Sequence, residues 1–227
     1  MNIKDVAWVD VQEKLRDTDL LNVPLGATET YGPHLVMGTE GYIGDYVGKE
    51  LGNRLDRLVA SFLPVACSEL LVFFPGNLYT SPYVLKAYVK AISDRMIFWG
   101  ITGIIFLNIY SPNMALLGEL SREYLQQGIS CMQVDFWRFI LNVGSRLLGE
   151  EPPVVSNHAS EMATAVVLAV DSDLVFESRF SRWTPNITLI QQYPDVATYR
   201  SFKDEIPESF IGDPGKATAE ERRELLK

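Results

Sequence analysis

The sequence predicts an α/β fold, a three-layer α/β/α sandwich with a mostly parallel central sheet. Apolar runs typical of buried strands alternate with segments whose apolar residues recur at helical spacing. Residues 103–109 contain almost no polar side chain, which is the pattern of a central strand buried on both faces of a sheet. The chain has 227 residues, of which 47% are hydrophobic and 22% charged, and it shows no repeat or linker-like stretch. We therefore expect one domain over residues 1–227.

Local signals place the individual elements. Ser81 can cap a helix whose first position is Pro82, and Gly128 can end the helix that follows the central strand. Residues 70–79 contain Phe, Pro and Gly and predict a loop lined with aromatic side chains. In chain order the predicted elements are a strand (20–27), a helix (41–55), a helix (82–96), a strand (103–109), a helix (114–127), a strand (129–136) and a helix that His158 opens and that runs to about Val170, with Ser156 or Asn157 as its cap.

The charge balance argues against two classes of partner. The chain carries 20 Lys and Arg against 29 Asp and Glu, a formal net charge of -9. This is the wrong sign for a protein whose main partner is nucleic acid or an anionic membrane. Two cysteines, Cys67 and Cys131, are too few for a disulfide scaffold, and the N-terminus lacks a signal-peptide pattern. We therefore expect a cytoplasmic protein that binds neither nucleic acid nor membrane.

The loop at residues 26–40 follows the first strand, at the sheet edge where open parallel sheets bind ligands. A fold back at Gly32 could bring the carboxylates of Glu29 and Glu40 to one point, for metal binding or for acid–base chemistry. Two solvated surface acids are the alternative. His34, between them, is either a ligand or a hydrogen-bonded structural residue.

Two later segments also carry candidate groups. The turn at residues 108–113 lies at the carboxyl end of the central strand and contains Tyr110 and Asn113. His158 and Glu161 are three residues apart, so in a helix they share one face of the first turn, where the dipole favours a carboxylate or a bound anion. A capping role alone would also explain Glu161.

Taken in order, these loops resemble the creatininase (creatinine amidohydrolase) family. The family's Asn-Gly-His-Gly-Gly-Asn turn resembles residues 108–113, and its His-Ala-Gly-Glu-x-Glu-Thr-Ser helix start resembles residues 158–165. Residues 211–214 and the Ala217, Thr218 and Ala219 that follow look like its closing motif. The resemblance covers about residues 20–225. The family's opening motif, Pro-x-Gly-Ser-x-Glu-Gln-His-Gly-Pro-His-Leu-Pro followed by Thr-Asp, is similar to this chain at Pro24, Gly26, Glu29, Gly32, Pro33, His34, Leu35 and Thr39.

The resemblance implies a metal-dependent amidohydrolase with a two-metal site, but this chain departs from the family at that site. Glu29 matches the first ligand, whereas Tyr31 and Tyr110 replace histidines and Glu40 replaces the bridging Asp. A phenol binds zinc only as phenolate, and its pKa near 10 makes that costly at neutral pH. We expect these exchanges to disable a two-zinc site and to leave a polar organic pocket.

Three hypotheses follow. The first is an enzyme of creatininase fold that acts on a small cyclic or amide-bearing metabolite, by hydrolysis or by the reverse cyclisation or condensation, without a metal or other cofactor. The second is a catalytically inactive paralogue that binds a ligand or regulates a partner. The third is a residual amidohydrolase with manganese, magnesium or zinc at Glu29 and Glu40. The family resemblance also implies a homo-oligomer, commonly a hexamer.

In the first hypothesis a glutamate exchanges a proton with substrate, a tyrosine donates to a developing oxyanion and a histidine is the second acid–base group. No cysteine or serine nucleophile with a relay is evident. The catalytic candidates are Glu29, Tyr31, Glu40, Tyr110, His158 and Glu161, and the candidates for substrate contact are His34, Asn113, Phe74 and Asn77.

Overall fold

The structure, a computed structural model, describes residues 1–148, 158–183 and 201–217. Its backbone divides into two compact units. A single domain over residues 1–227 stays a prediction. The first unit comprises Met1–Thr28, Glu40–Cys67 and Tyr79–Phe136, and the second comprises Glu29–Thr39, Ser68–Leu78 and the described residues of Trp137–Lys227.

A parallel sheet of four strands forms the centre of the first unit. The strands are β1 (Leu20–Leu25), β2 (Leu58–Val59), β3 (Gly103–Asn108) and β4 (Ser130–Asp135), in the order β2-β1-β3-β4. All three neighbouring pairs are parallel. Every residue of β3 is buried, and this strand lies between β1 and β4. The predicted α/β fold, with a parallel sheet and a central strand that begins at residue 103, is therefore confirmed.

Four helices accompany the sheet: α1 (Trp8–Lys14), α2 (Thr39–Leu55), α3 (Pro82–Phe98) and α4 (Met114–Leu125). The start of α3 is the one predicted, since the Ser81 side chain accepts a hydrogen bond from the Val84 N–H at 3.4 Å. Helix α4 ends at Leu125, and Gly128, with φ +78°, makes the turn into β4. The predicted helix at 41–55 begins two residues earlier, at Thr39.

Helices cover both faces of the sheet because successive strand side chains point to opposite sides. On one side, Val23 and Phe106 belong to a core that also contains Leu85 of α3 and Leu117 of α4. On the other side, the Asn22 side-chain amide donates to the Gly48 carbonyl of α2 at 3.5 Å. The arrangement is helix, sheet, helix, as the sequence predicts.

The second unit contains most of α5 (Phe136–Leu148) together with α6 (Glu161–Val170) and α7 (Phe202–Glu205). The prediction that His158 opens α6 is wrong by three residues. Ala159 has φ +50°, a left-handed conformation that cannot continue a right-handed helix, and Ser160 is the N-cap. The predicted caps Ser156 and Asn157 lie outside the described residues. In the three described stretches of chain, no helix has the length and apolar character needed to cross a membrane.

Candidate active site

In the first unit, Glu40 closes the turn that follows β1. Glu40 lies in the first turn of α2, is 1% exposed, and its Oε2 accepts a hydrogen bond from the Ala27 N–H at 2.5 Å. A Cβ at Gly26 would lie 2.7 Å from the same oxygen. Glycine is therefore needed at position 26 for the carboxylate to reach the backbone.

The turn after β3 is organised by two buried asparagines. The Asn108 side-chain amide donates to the Tyr110 carbonyl at 2.6 Å, and the Asn113 amide donates to Asn108 Oδ1 at 3.2 Å. Asn113 Oδ1 accepts in turn from the Cys67 N–H at 3.5 Å. The Tyr110 ring is buried in a small cluster with alanines. In this structure Asn113, which the sequence predicts to contact substrate, accepts a hydrogen bond from the backbone of Cys67.

In the second unit, Tyr31 and His158 are brought together. Their ring centroids are 4.6 Å apart, and the Tyr31 ring lies 6.4 Å from that of Trp137. Tyr31 is 3% exposed and the neighbouring Glu29 is 1% exposed. The Glu29 N–H donates to the Met37 carbonyl at 3.1 Å, which folds this loop back on itself.

His158 is held by backbone and by aromatic rings. Its Nε2 lies 2.8 Å from the carbonyl oxygen of Thr30, and the Phe202 ring stands edge-on at 5.4 Å. Burial lowers the pKa of His158 from 6.5 to about 4, although the Thr30 carbonyl acts in the opposite direction. His158 is therefore a neutral imidazole at pH 7.

His34 is buried away from solvent in the same unit. Its Nε2 lies 3.2 Å from the Thr164 hydroxyl, and the rings of Phe180 and Phe210 stand edge-on at 5.7 and 5.5 Å. Burial lowers its pKa to about 4, so that this imidazole is also neutral. With no exposed surface, His34 fits the structural interpretation better than a substrate contact.

Glu161 binds the segment that carries the closing motif. Its Oε2 accepts a hydrogen bond from the Asp213 N–H at 3.2 Å. Gly212 has φ +113°, and a Cβ there would lie 2.3 Å from the same oxygen. The Ile211 N–H donates to the His158 carbonyl at 2.8 Å, so the closing segment also touches His158.

The loop at residues 68–78 contains the two remaining candidates. The Asn77 amide donates to the carbonyl and the hydroxyl of Ser68, at 3.3 and 3.2 Å. The Lys203 ammonium lies 5.5 Å from the centroid of the Phe74 ring. Asn77 thus braces its own loop, and Phe74 is partly covered by a cation.

Sequence reasoning missed the groups that contact these two histidines: the Thr30 carbonyl, Thr164 and the rings of Phe180, Phe202 and Phe210. It also missed Trp137, whose ring lies near that of Tyr31. Thr164 stands at the threonine of the family's helix motif, which could have identified it. Trp137 lies two residues after the end of β4, in the first turn of α5. The backbone oxygen of Thr30 and the ring of Phe202 leave no local signal.

The sheet, its flanking helices and the motif loops define an amidohydrolase-like protein. The family model for creatininase (creatinine amidohydrolase) matches residues 4–227, and the chain belongs to this family. Among characterised relatives, the mycofactocin precursor peptide peptidase of Mycobacterium ulcerans (strain Agy99) is 22% identical over 213 residues, which is 90% of this chain and 78% of the relative.

Solved creatininase structures share the fold. A creatinine amidohydrolase (creatininase) superposes with a TM-score of 0.85 at 19% identity, over 99% of this chain and 92% of the other. A manganese form of creatininase gives 0.85 at 18% identity, with the same coverage. A putative creatinine amidohydrolase from Bacteroides fragilis NCTC 9343 gives 0.79 at 17% identity, over 100% and 90% of the two chains. A zinc form of a creatininase mutant is also similar.

The side chains at the family's metal positions do not fit a two-zinc centre. Tyr31 and Tyr110 offer phenols, which bind zinc only as phenolate, and one oxygen of Glu40 is bound to the Ala27 N–H. Within residues 1–148, 158–183 and 201–217, no group of three or more His, Cys, Asp or Glu side chains could hold a metal ion. We derive no chemical step through a metal.

Proposed function

We propose that this chain is a creatininase-family enzyme that breaks or forms a C–N bond in a small cyclic or amide-bearing molecule, by acid–base chemistry of its own side chains. The observation that carries the proposal is the pair of a buried Tyr31 and a half-buried His158, with rings 4.6 Å apart. A neutral imidazole can take a proton at pH 7, and a neutral phenol can donate a hydrogen bond.

In the hydrolytic direction, the water oxygen attacks the amide carbon while His158 takes the water proton. Negative charge develops on the carbonyl oxygen, to which Tyr31 donates a hydrogen bond. The C–N bond then breaks and His158 returns the proton to the departing nitrogen. Ring closure is the same sequence in reverse. Glu29 is the third group we assign, as a proton-exchanging carboxylate.

Short peptides are a second candidate substrate class. The similar protein from Mycobacterium ulcerans is named a precursor peptide peptidase, and it matches 90% of this chain. Peptide bonds and cyclic amides present the same carbonyl and nitrogen to the acid–base pair. A homo-oligomer is likewise proposed, on the family resemblance alone.

The test is turnover of a panel of lactams, hydantoins and short peptides, followed as newly formed primary amine and by mass spectrometry. We expect Tyr31→Phe to lower kcat about 100-fold, because one oxyanion donor is lost. Tyr42→Phe is the matched control, since Tyr42 is 50% exposed on α2. Equal turnover by both variants would contradict the role of Tyr31.

Metal content decides between this proposal and the residual metal enzyme. We expect protein purified without chelator to hold far less than one zinc or manganese per chain by elemental mass spectrometry. Near-stoichiometric metal, with activity lost to a chelator and restored by the ion, would overturn the acid–base proposal. A chain that turns over nothing on the panel, with or without added metal, would favour the inactive paralogue.

A further inference from the structure

The imidazole of His158 is fixed in place on several sides. The Tyr31 ring lies against it at 4.6 Å, and the Phe202 ring stands nearly perpendicular to it at 5.4 Å, with 79° between the planes. The backbone of the same residue is tied down, because its carbonyl accepts the Ile211 N–H at 2.8 Å. The ring is therefore packed against two other rings, and its Nε2 faces the backbone.

The nitrogen Nε2 of His158 contacts the backbone. It lies 2.8 Å from the carbonyl oxygen of Thr30. A carbonyl oxygen can only accept a hydrogen bond, so Nε2 must carry the ring proton. Because the imidazole is neutral at pH 7, Nδ1 then holds an unshared electron pair. The contacts of His158 described above involve Nε2 and the ring faces, and none of them involves Nδ1.

We propose that Nδ1 of His158 is the nitrogen that accepts and returns the proton, and that the Thr30 carbonyl is the positioning group that selects it. The tautomer assignment stands on the contacts alone, whereas the catalytic use of Nδ1 rests on the proposed function. In the proposed hydrolysis, Nδ1 takes the proton of the attacking water, and the ring becomes an imidazolium. The bond from Nε2–H to Thr30 is then charge-assisted and stronger. When the C–N bond breaks, Nδ1 gives the same proton to the leaving nitrogen.

The tautomer can be measured directly on the full chain. The sequence contains only 2 histidines, so ¹⁵N-histidine labelling gives two imidazoles, and His158→Gln identifies which signals belong to His158. In a long-range ¹H–¹⁵N correlation spectrum at pH 7, we expect a protonated, pyrrole-type Nε2 and an unprotonated, pyridine-type Nδ1. A protonated Nδ1, or signals averaged between the two tautomers, would overturn the proposal.

His158→Gln also tests the chemical role. The glutamine amide can take the place of Nε2 and donate to Thr30, but it has no basic atom in place of Nδ1. We expect kcat on the substrate found in the panel to fall at least about 100-fold, with KM within about threefold and the thermal midpoint little changed. Wild-type turnover by this variant would show that donation to Thr30 is the whole role of His158, and would overturn the proposal.

The two readouts separate this inference from the proposed function. If wild-type protein hydrolyses nothing on the panel, the proposed function fails and the proton-transfer role of Nδ1 fails with it, while the spectrum still decides the tautomer. If turnover is found and the spectrum shows a protonated Nδ1, the proposed function stands and the choice of nitrogen is wrong.

Discussion

At the scale of single residues, Gly212 illustrates how one missing side chain allows a polar contact. Its φ of +113° lies in the left-handed region, and Glu161 Oε2 occupies the space where a Cβ would stand. The same oxygen accepts the Asp213 N–H, so carboxylate and glycine depend on each other. In this chain the contact joins the closing motif, at Gly212 and Asp213, to the helix motif at Glu161.

We predict that Gly212→Ala lowers the free energy of unfolding by at least about 2 kcal/mol, through backbone strain added to a steric clash. Gly100→Ala is the matched control, because its φ is +103° and no atom lies within 4 Å of its added Cβ. The control should lose only the strain component, about 1 kcal/mol. Urea unfolding of both variants is the measurement, and equal losses would refute the clash with Glu161.

At the scale of elements, the start of α3 was predictable because its signals are local. Ser81 and Pro82 are adjacent, and the structure shows the Ser81 side chain accepting the Val84 N–H. We predict that Ser81→Ala lowers the free energy of unfolding by about 1 kcal/mol. Ser81→Asn should lower it by less, because an asparagine side chain can also cap the helix. Urea unfolding of the two variants checks this, and an unchanged Ser81→Ala midpoint would mean that packing alone fixes this end of the helix.

The start of α6 was not predictable, for a reason that also limits the prediction of the site. Ala159 has φ +50°, while the carbonyl of the preceding His158 accepts the N–H of Ile211, a residue far away in the sequence. Sequence position correctly placed the two segments that lead to Glu40 and Asn113 after buried strands, which are β1 and β3. The groups they bind, the Ala27 N–H and the Cys67 N–H, became known only from the folded chain.

At the scale of the whole molecule, both histidines of the chain are neutral at pH 7 in the folded state. In the unfolded state their pKa has its ordinary value. Burial lowers the pKa of His34 and of His158 from 6.5 to about 4. Between those two pH values the unfolded chain binds protons that the folded chain does not, so stability must rise with pH across this window. The stabilisation is complete above pH 6.5 and is lost as pH falls toward 4.

We therefore predict that the free energy of unfolding falls by up to about 2 kcal/mol per histidine between pH 6.5 and pH 5. Urea unfolding at intervals of half a pH unit gives the slope of the free energy of unfolding against pH. This slope does not depend on the absolute stability of each variant. His34→Gln should lose the contribution of one histidine, and the double variant with His158→Gln should lose both, because the chain has 2 histidines. A double variant that keeps the full wild-type slope would place the acid sensitivity in the carboxylates and would contradict burial of two neutral imidazoles.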